Sequence, residues 1–257
     1  MKSQIVICIP TNLSNRQEIA AALEKTVGTE YVFMGRVFQS TITPSSCEID
    51  ICGCQAKGFA PESSTSLADD FERAAQNRLD LVTRQQLDRC QQLVYLTSNQ
   101  IGYDACLGMA NLAQVILAIG GLAIKVESTG IAHSRQKWLS NYNSDDVFEI
   151  YSLYVQLVEG EDYYYSCGMN NFGKADVAMA LESDIGLAIY VMNVFNYYRL
   201  TESPILQDGH TFQPDMGCPR YQMQWIEDRE EAPASTLYNP YGRWYLTLEL
   251  DSFNSGD

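Results

Sequence analysis

The sequence predicts an α+β fold on three observations. Short β-branched or aromatic runs bounded by turn residues recur along the chain and read as strands. Between them lie stretches with apolar residues at helical spacing, the clearest over residues 184–200 with Ile185, Ala188, Ile189, Met192 and Phe195 on one face. Hydrophobic residues make up 46% of the 257 and charged residues 19%, a globular composition that builds a core without disulfides.

The elements follow in order. Residues 5–9 form an apolar β-branched strand closed by Pro10. Asn15 and Glu18 are spaced as a capping box. The helix after them carries Ile19, Ala22 and Leu23 on one face, with Gly28 just past its end. Strands are expected over 31–38 and 48–54, joined by a turn at Thr43-Pro44-Ser45-Ser46. A loop with Gly58 and Pro61 leads into a helical stretch from 66 to 92, rich in Asp, Glu, Arg and Gln, and then a strand over 93–96. The order β-α-β-β-α-β predicts a ferredoxin-like arrangement, with two helices on one face of a four-stranded antiparallel sheet.

Residues 105–124 carry no charge and approach the length of a membrane span. Asn111, Gln114 and the pair Gly120-Gly121 argue instead for a buried helix over 103–119, a glycine stop, and a strand from Leu122. A short helix over 134–139 is expected next, then strands over 150–158, 163–167 and 176–181, with a hairpin at Gly160-Glu161. After the helix of 184–200, strands are expected near Thr211 and over 221–226 and 243–250. No Pro-rich or low-complexity linker interrupts the chain. The expectation is one compact α+β unit over residues 1–257, with sub-lobes 1–98, ferredoxin-like, and 99–257, containing an antiparallel sheet.

The formal charge is −15, from 17 basic and 32 acidic residues. That sign disfavours nucleic acid and anionic membranes and favours a protein partner with a basic surface. The apolar run over 5–9 is too short for a secretion signal, which places the chain in the cytoplasm and its eight cysteines in the free thiol form.

Three phrases carry a resemblance. Residues 121–134 read Gly-Leu-Ala-Ile-Lys-Val-Glu-Ser-Thr-Gly-Ile-Ala-His-Ser; Gly168-Met-Asn-Asn-Phe-Gly173 precedes Asp176-Val177; and residues 208–212 read Asp-Gly-His-Thr-Phe. With the apolar helix ahead of them, they resemble a bacterial domain-of-unknown-function family, number 4261 in that series, over roughly residues 90–250. The resemblance implies a bacterial cytoplasmic setting and a loose association with toxin-immunity or secretion-linked loci. The family has no assigned activity, so no catalytic residue is carried over.

Several constellations carry residues suited to chemistry. Cys52-Gly53-Cys54, with Cys47 nearby, lacks the second ligand pair that structural zinc requires, so no metal is expected. His133 and His210 could join a carboxylate, Glu127 or Asp208, in a catalytic or metal-ligating set; alternatively His133 sits at a helix start and His210 in a turn. Cys167 with His133 lacks any nucleophile signature. Phosphate-cradling glycine motifs are absent, so no cofactor is expected. Tyr163-Tyr164-Tyr165, Tyr197-Tyr198 and the set Tyr238, Tyr241 and Trp244 suit half-buried sheet faces or a protein interface. The acidic run over 227–231 reads as a solvated hairpin tip or an acidic docking patch.

Taken together, these features predict a non-enzymatic binding or interaction protein. An immunity-type protein that neutralises a basic partner fits. A small hydrolase or transferase using His133 and His210 with a carboxylate is the alternative. A homodimer formed through an open sheet edge or the tyrosine-rich strands is a further expectation.

Overall fold

The computed structural model describes residues 4–13, 17–21, 32–33, 47–53, 66–141, 146–229, 231–233, 235 and 237–249. The Asn15 cap, Ala22, Leu23, Gly28, the turn at 43–46, Cys54 and most of the 31–38 strand lie outside these residues. The fold is α+β, and its contacts divide into two units. Unit 1 is Met1–Val155 with Asn171–Gly173; unit 2 is Gln156–Asn170 with Lys174–Asp257.

Unit 1 is built on six strands: β1 (Ile5–Thr11), β2 (Val32–Phe33), β3 (Cys47–Gly53), β4 (Gln92–Ser98), β5 (Ala123–Val126) and β6 (Ile131–Ser134). Their order is β2-β3-β4-β1-β5-β6. β2 and β3 run parallel, and the remaining pairs are antiparallel. This corrects the ferredoxin-like expectation, which would put β1 between β3 and β4. Here β4 is central to both, paired over its full length with β3 on one side and β1 on the other. The physical reason is the apolar content of β4: Leu93, Val94 and Leu96 are all fully buried, as a strand covered on both faces requires.

β5 and β6 extend the same sheet beyond β1. The expected divide between residues 98 and 99 therefore does not match the contacts, since unit 1 continues to Val155. The helical stretch expected from 66 to 92 is two helices, α1 (Leu67–Ala74) and α2 (Leu81–Leu87). Ser66 and Asp69 form a capping box for α1. Gln76 and Asn77 then take positive φ of 54° and 58°, which ends the helix, and Asp80 caps a new one by accepting from the Thr83 N–H at 2.8 Å.

α1 lays Leu67, Ala68 and Phe71 against Cys8, Leu93, Ala123 and Ala132. α3 (Tyr103–Ala118) is the apolar helix expected from the sequence, ended one residue earlier. It packs on β1 and β4, with Met109 Sδ 3.5 Å from Cys47 Sγ. After it the chain approaches β1 closely: a Cβ on Gly121 would lie 2.9 Å from Ile9 Cγ2 and 3.0 Å from the Ile116 carbonyl. Among the described residues no helix is long and apolar enough to cross a membrane.

The expected strand over 150–158 is corrected. Its first part is helix α5 (Val147–Tyr154), which follows α4 (Arg135–Asn141). Asp146 starts α5 by accepting from the backbone of Phe148 and Glu149. Ile150, Tyr151, Leu153 and Tyr154 then bury one helical face, so capping and packing override the strand propensity of Ile, Val and Tyr.

Unit 2 holds β7 (Gln156–Glu159), β8 (Tyr163–Cys167), β9 (Asp176–Ala180), β10 (Thr211–Phe212), β11 (Tyr221–Ile226) and β12 (Arg243–Leu248), with α6 (Ile185–Thr201) between β9 and β10. The sheet order is β10-β11-β12-β9-β8-β7; β9 and β12 are parallel and the other pairs antiparallel. α6 is capped by Asp184 and buries Ala188, Val191, Met192 and Phe195 against Val177, Met179, Met223 and Leu246. Ile185 and Ile189, expected on that buried face, are 53% and 43% exposed. The buried stripe is rotated away from them, because Asn196 and Arg199 take interior positions at the C-terminal end.

Candidate functional site

His133 lies on β6 opposite Ile124 and is buried. Its Nε2–H donates to the Leu153 carbonyl at 3.1 Å, and its ring meets Trp138 edge-on at 5.6 Å. Burial holds the imidazole neutral, pushing its pKa down to about 4 against the raising effect of the Leu153 carbonyl. These contacts make it a hydrogen-bonded core histidine. Glu127, just past β5, instead engages Lys125 Nζ at 3.2 Å, which also donates to Asp70 on α1 at 2.7 Å. Burial would lower the Lys125 pKa, but the two carboxylates outweigh it and raise it above its ordinary value.

His210 and Asp208 belong to unit 2 and share one turn, with Gly209 at φ +84°. Asp208 Oδ1 accepts from the Trp225 N–H at 2.7 Å, pinning the turn to β11. His210 is exposed, and its carbonyl accepts from the Met223 N–H. Within each unit, then, the expected histidines and carboxylates do local work, and in neither does a histidine contact one of the carboxylates proposed for it. Cys167 is buried beside Asp176, and burial and that carboxylate both raise its pKa, which keeps the thiol protonated. Burial likewise pushes the Cys47 thiol up to about 12. Among the described residues no three or more His, Cys, Asp and Glu side chains come together to hold a metal.

The largest correction concerns the acidic run at 227–231. Asp228 is buried, not solvated, and its carboxylate meets Arg243 at 2.6 Å. The Arg243 guanidinium also lies 4.1 Å over the Tyr165 ring and donates to the Tyr163 hydroxyl at 3.0 Å. A polar network adjoins this pair. Asp176 accepts from Ser166 Oγ (2.9 Å), the Met169 N–H (3.2 Å) and Asn239 Nδ2 (2.6 Å), and the Asn239 N–H donates to Asp228 at 2.9 Å. Burial raises the Asp176 pKa to about 6, against the lowering effect of these donors and of Arg243. A carboxyl with such a pKa can serve as a proton donor. Here both its oxygens are occupied and it is 2% exposed, so it organises the sheet. This cluster is not legible in the local sequence. The one signal for it was Asp176-Val177 within the resemblance motif.

The Gly168–Gly173 phrase is structural in the same sense. In unit 1, Ser128 Oγ donates to Asn171 Oδ1 at 2.6 Å and Asn171 Nδ2 donates to Thr129 Oγ1 at 3.0 Å. Thr129 Oγ1 in turn donates to the Tyr154 carbonyl at 2.7 Å. Two of the three phrases singled out in the sequence thus meet in one buried hydrogen-bonded turn.

Each unit has an open cleft. That of unit 1, about 670 Å³, lies among Asp80, Gln86, Gly120, Arg135 and Ser140. Asp80, its one carboxylate, is already bound through both oxygens to Thr83. That of unit 2, about 420 Å³, lies between α6 and β10 and is lined by Val194, Tyr198, Ile205, Leu206, Phe212 and His210, among others. Both fall in the size range of ligand sites. The charge is distributed unevenly: unit 2 carries 16 acidic and 5 basic residues, a formal −11, against −4 for unit 1. Of those five bases, Arg199 and Arg243 are buried. No family model matches the chain, and no curated protein or solved structure matches it.

Proposed function

We propose that the protein is a non-enzymatic binding protein of the bacterial cytosol that captures a protein partner with a basic surface, in the manner of an immunity protein. The observation that carries this is the charge of unit 2. The buried Arg199 and Arg243 are matched by the buried Asp176 and Asp228, so the −11 stays on the outside, where acidic residues far outnumber Lys174, Arg220 and Arg229. Such a field accelerates encounter with a cationic partner and repels acidic ones. The side chains that could do chemistry support the same reading. His133, Asp176 and Cys167 are buried, and the first two are bound within the fold. A hydrolase or transferase built on His133 would need a ring nitrogen open to substrate, and its burial against Leu153 and Trp138 weighs against that.

Affinity capture from the native host, eluted in a salt gradient, tests the proposal. The expected result is a basic protein whose retention falls as salt rises, because surface electrostatics are screened over about 10 Å at 0.1 M ionic strength. An acidic partner, or retention indifferent to salt, overturns it.

A further inference from the structure

The cleft of unit 2 combines three properties. Its floor is aromatic and preformed. Phe212 stands edge-on to Phe195 at 4.9 Å and stacks on Tyr198 at 5.9 Å, so the aromatic floor is packed before anything binds. Its lip is held in place. Ser203 takes a positive φ of 45° at the end of α6, Pro204 prevents the helix from continuing, and the Gly209 N–H donates to the Met223 carbonyl at 2.8 Å. On that lip Ile205 is 86% exposed, an isoleucine held almost wholly in water.

The third property is charge. Among the described residues that line the cleft none is Lys or Arg. Glu202, Asp208 and Asp215 stand within two positions of lining residues, and all three are exposed; Asp208 accepts from the Trp225 N–H and Asp215 from the Tyr190 hydroxyl, each keeping its negative charge. A slot with an aromatic floor, no lining cation and acidic residues next to its lining in the chain disfavours acidic ligands. It complements a chain segment that inserts one apolar side chain and flanks it with Lys or Arg.

We infer that this cleft is the docking site for a basic segment of a protein partner, with one apolar anchor side chain seated on Ile205, Leu206 and Phe212. The inference rests on the proposed binding function and assigns it to a place. Preorganisation of the floor lowers the ordering cost of binding, which lets so small a slot act as an anchor point.

Synthetic peptides test it on the full-length protein. One carries a single Phe flanked by Lys and Arg on both sides; a second replaces the Phe with Gly; a third keeps the Phe and replaces the bases with Glu. Fluorescence anisotropy at low salt is expected to show the first binding about 10–100-fold more tightly than the second, the range for burying one large apolar side chain. No binding of the third is expected. Ile205→Ser, at an exposed position that leaves the fold intact, should remove most of the difference between the first two peptides. Glu202→Gln should weaken both and reduce their salt dependence. Equal affinity for the first two peptides, with Ile205→Ser silent, overturns the cleft assignment but leaves the basic-partner proposal standing. No binding of either basic peptide also overturns the assignment, and capture from the host then decides the broader proposal separately.

Discussion

Arg243 shows how much one side chain decides in unit 2. It neutralises the buried Asp228 carboxylate, covers Tyr165 and bonds the Tyr163 hydroxyl. Removing it leaves a buried carboxylate without its counter-charge. Arg243→Ala is expected to cost about 3–5 kcal/mol of stability, measured by urea denaturation. A loss below about 1 kcal/mol would mean that Asp228 finds water instead. Local sequence gave no warning of this pair. Asp228 sits in a run of charges whose neighbours are surface-like, and its burial follows from the approach of β12, which no window around Asp228 contains. His133 makes the same point: read as a helix-start residue or a member of a catalytic set, it is put in the core by the packing of Trp138 and Leu153.

At the level of elements, the strands over 163–167 and 221–226 and the helices α3 and α6 stand close to where the residues placed them. These have strong periodicity or clear punctuation. The failures lie where two local signals compete. In α5 the composition favours strand and the Asp146 cap favours helix. Between α1 and α2 the polar periodicity ran on, and the left-handed pair Gln76-Asn77 broke it. Glycine at the β11–β12 connection is a sharper case. Gly242 has φ +72°, and a Cβ there would lie 2.5 Å from the Ile226 carbonyl and 2.7 Å from the Trp225 ring. Gly242→Ala is therefore expected to cost about 2–4 kcal/mol through strain and steric displacement, with a lowered melting temperature as the readout. An unchanged melting temperature would show that the turn relaxes.

Across the whole chain, the two units should respond to acid in opposite ways. In unit 1, folded His133 has a pKa near 4 against 6.5 when unfolded. The unfolded chain takes the proton first, so unit 1 loses stability as pH falls from about 6.5 to 4, by about 3 kcal/mol. In unit 2, folded Asp176 has a pKa near 6 against 3.8 unfolded. Here the folded chain takes the proton first, so the contribution of Asp176 to stability is fully present below pH 4 and is lost as pH rises through 6, by a similar amount. Hydrogen exchange resolved by segment at pH 7 and pH 5, corrected for intrinsic rates, should show unit 1 losing protection relative to unit 2. His133→Asn and Asp176→Asn should each flatten the trend in its own unit. Parallel changes in both units, unaffected by the substitutions, would refute the assignment.

By itself the sequence determined the fold class, most elements and the acidic character of the chain, because propensity, periodicity and net charge are sums over local residues. Tertiary structure alone decided that β4 lies between β3 and β1, that unit 1 runs on to Val155, and that Asp228, Asp176 and His133 are interior. The reason is common to all of these. Strand order and burial depend on which distant segment supplies the matching surface, and that choice is made by packing between elements far apart in the chain.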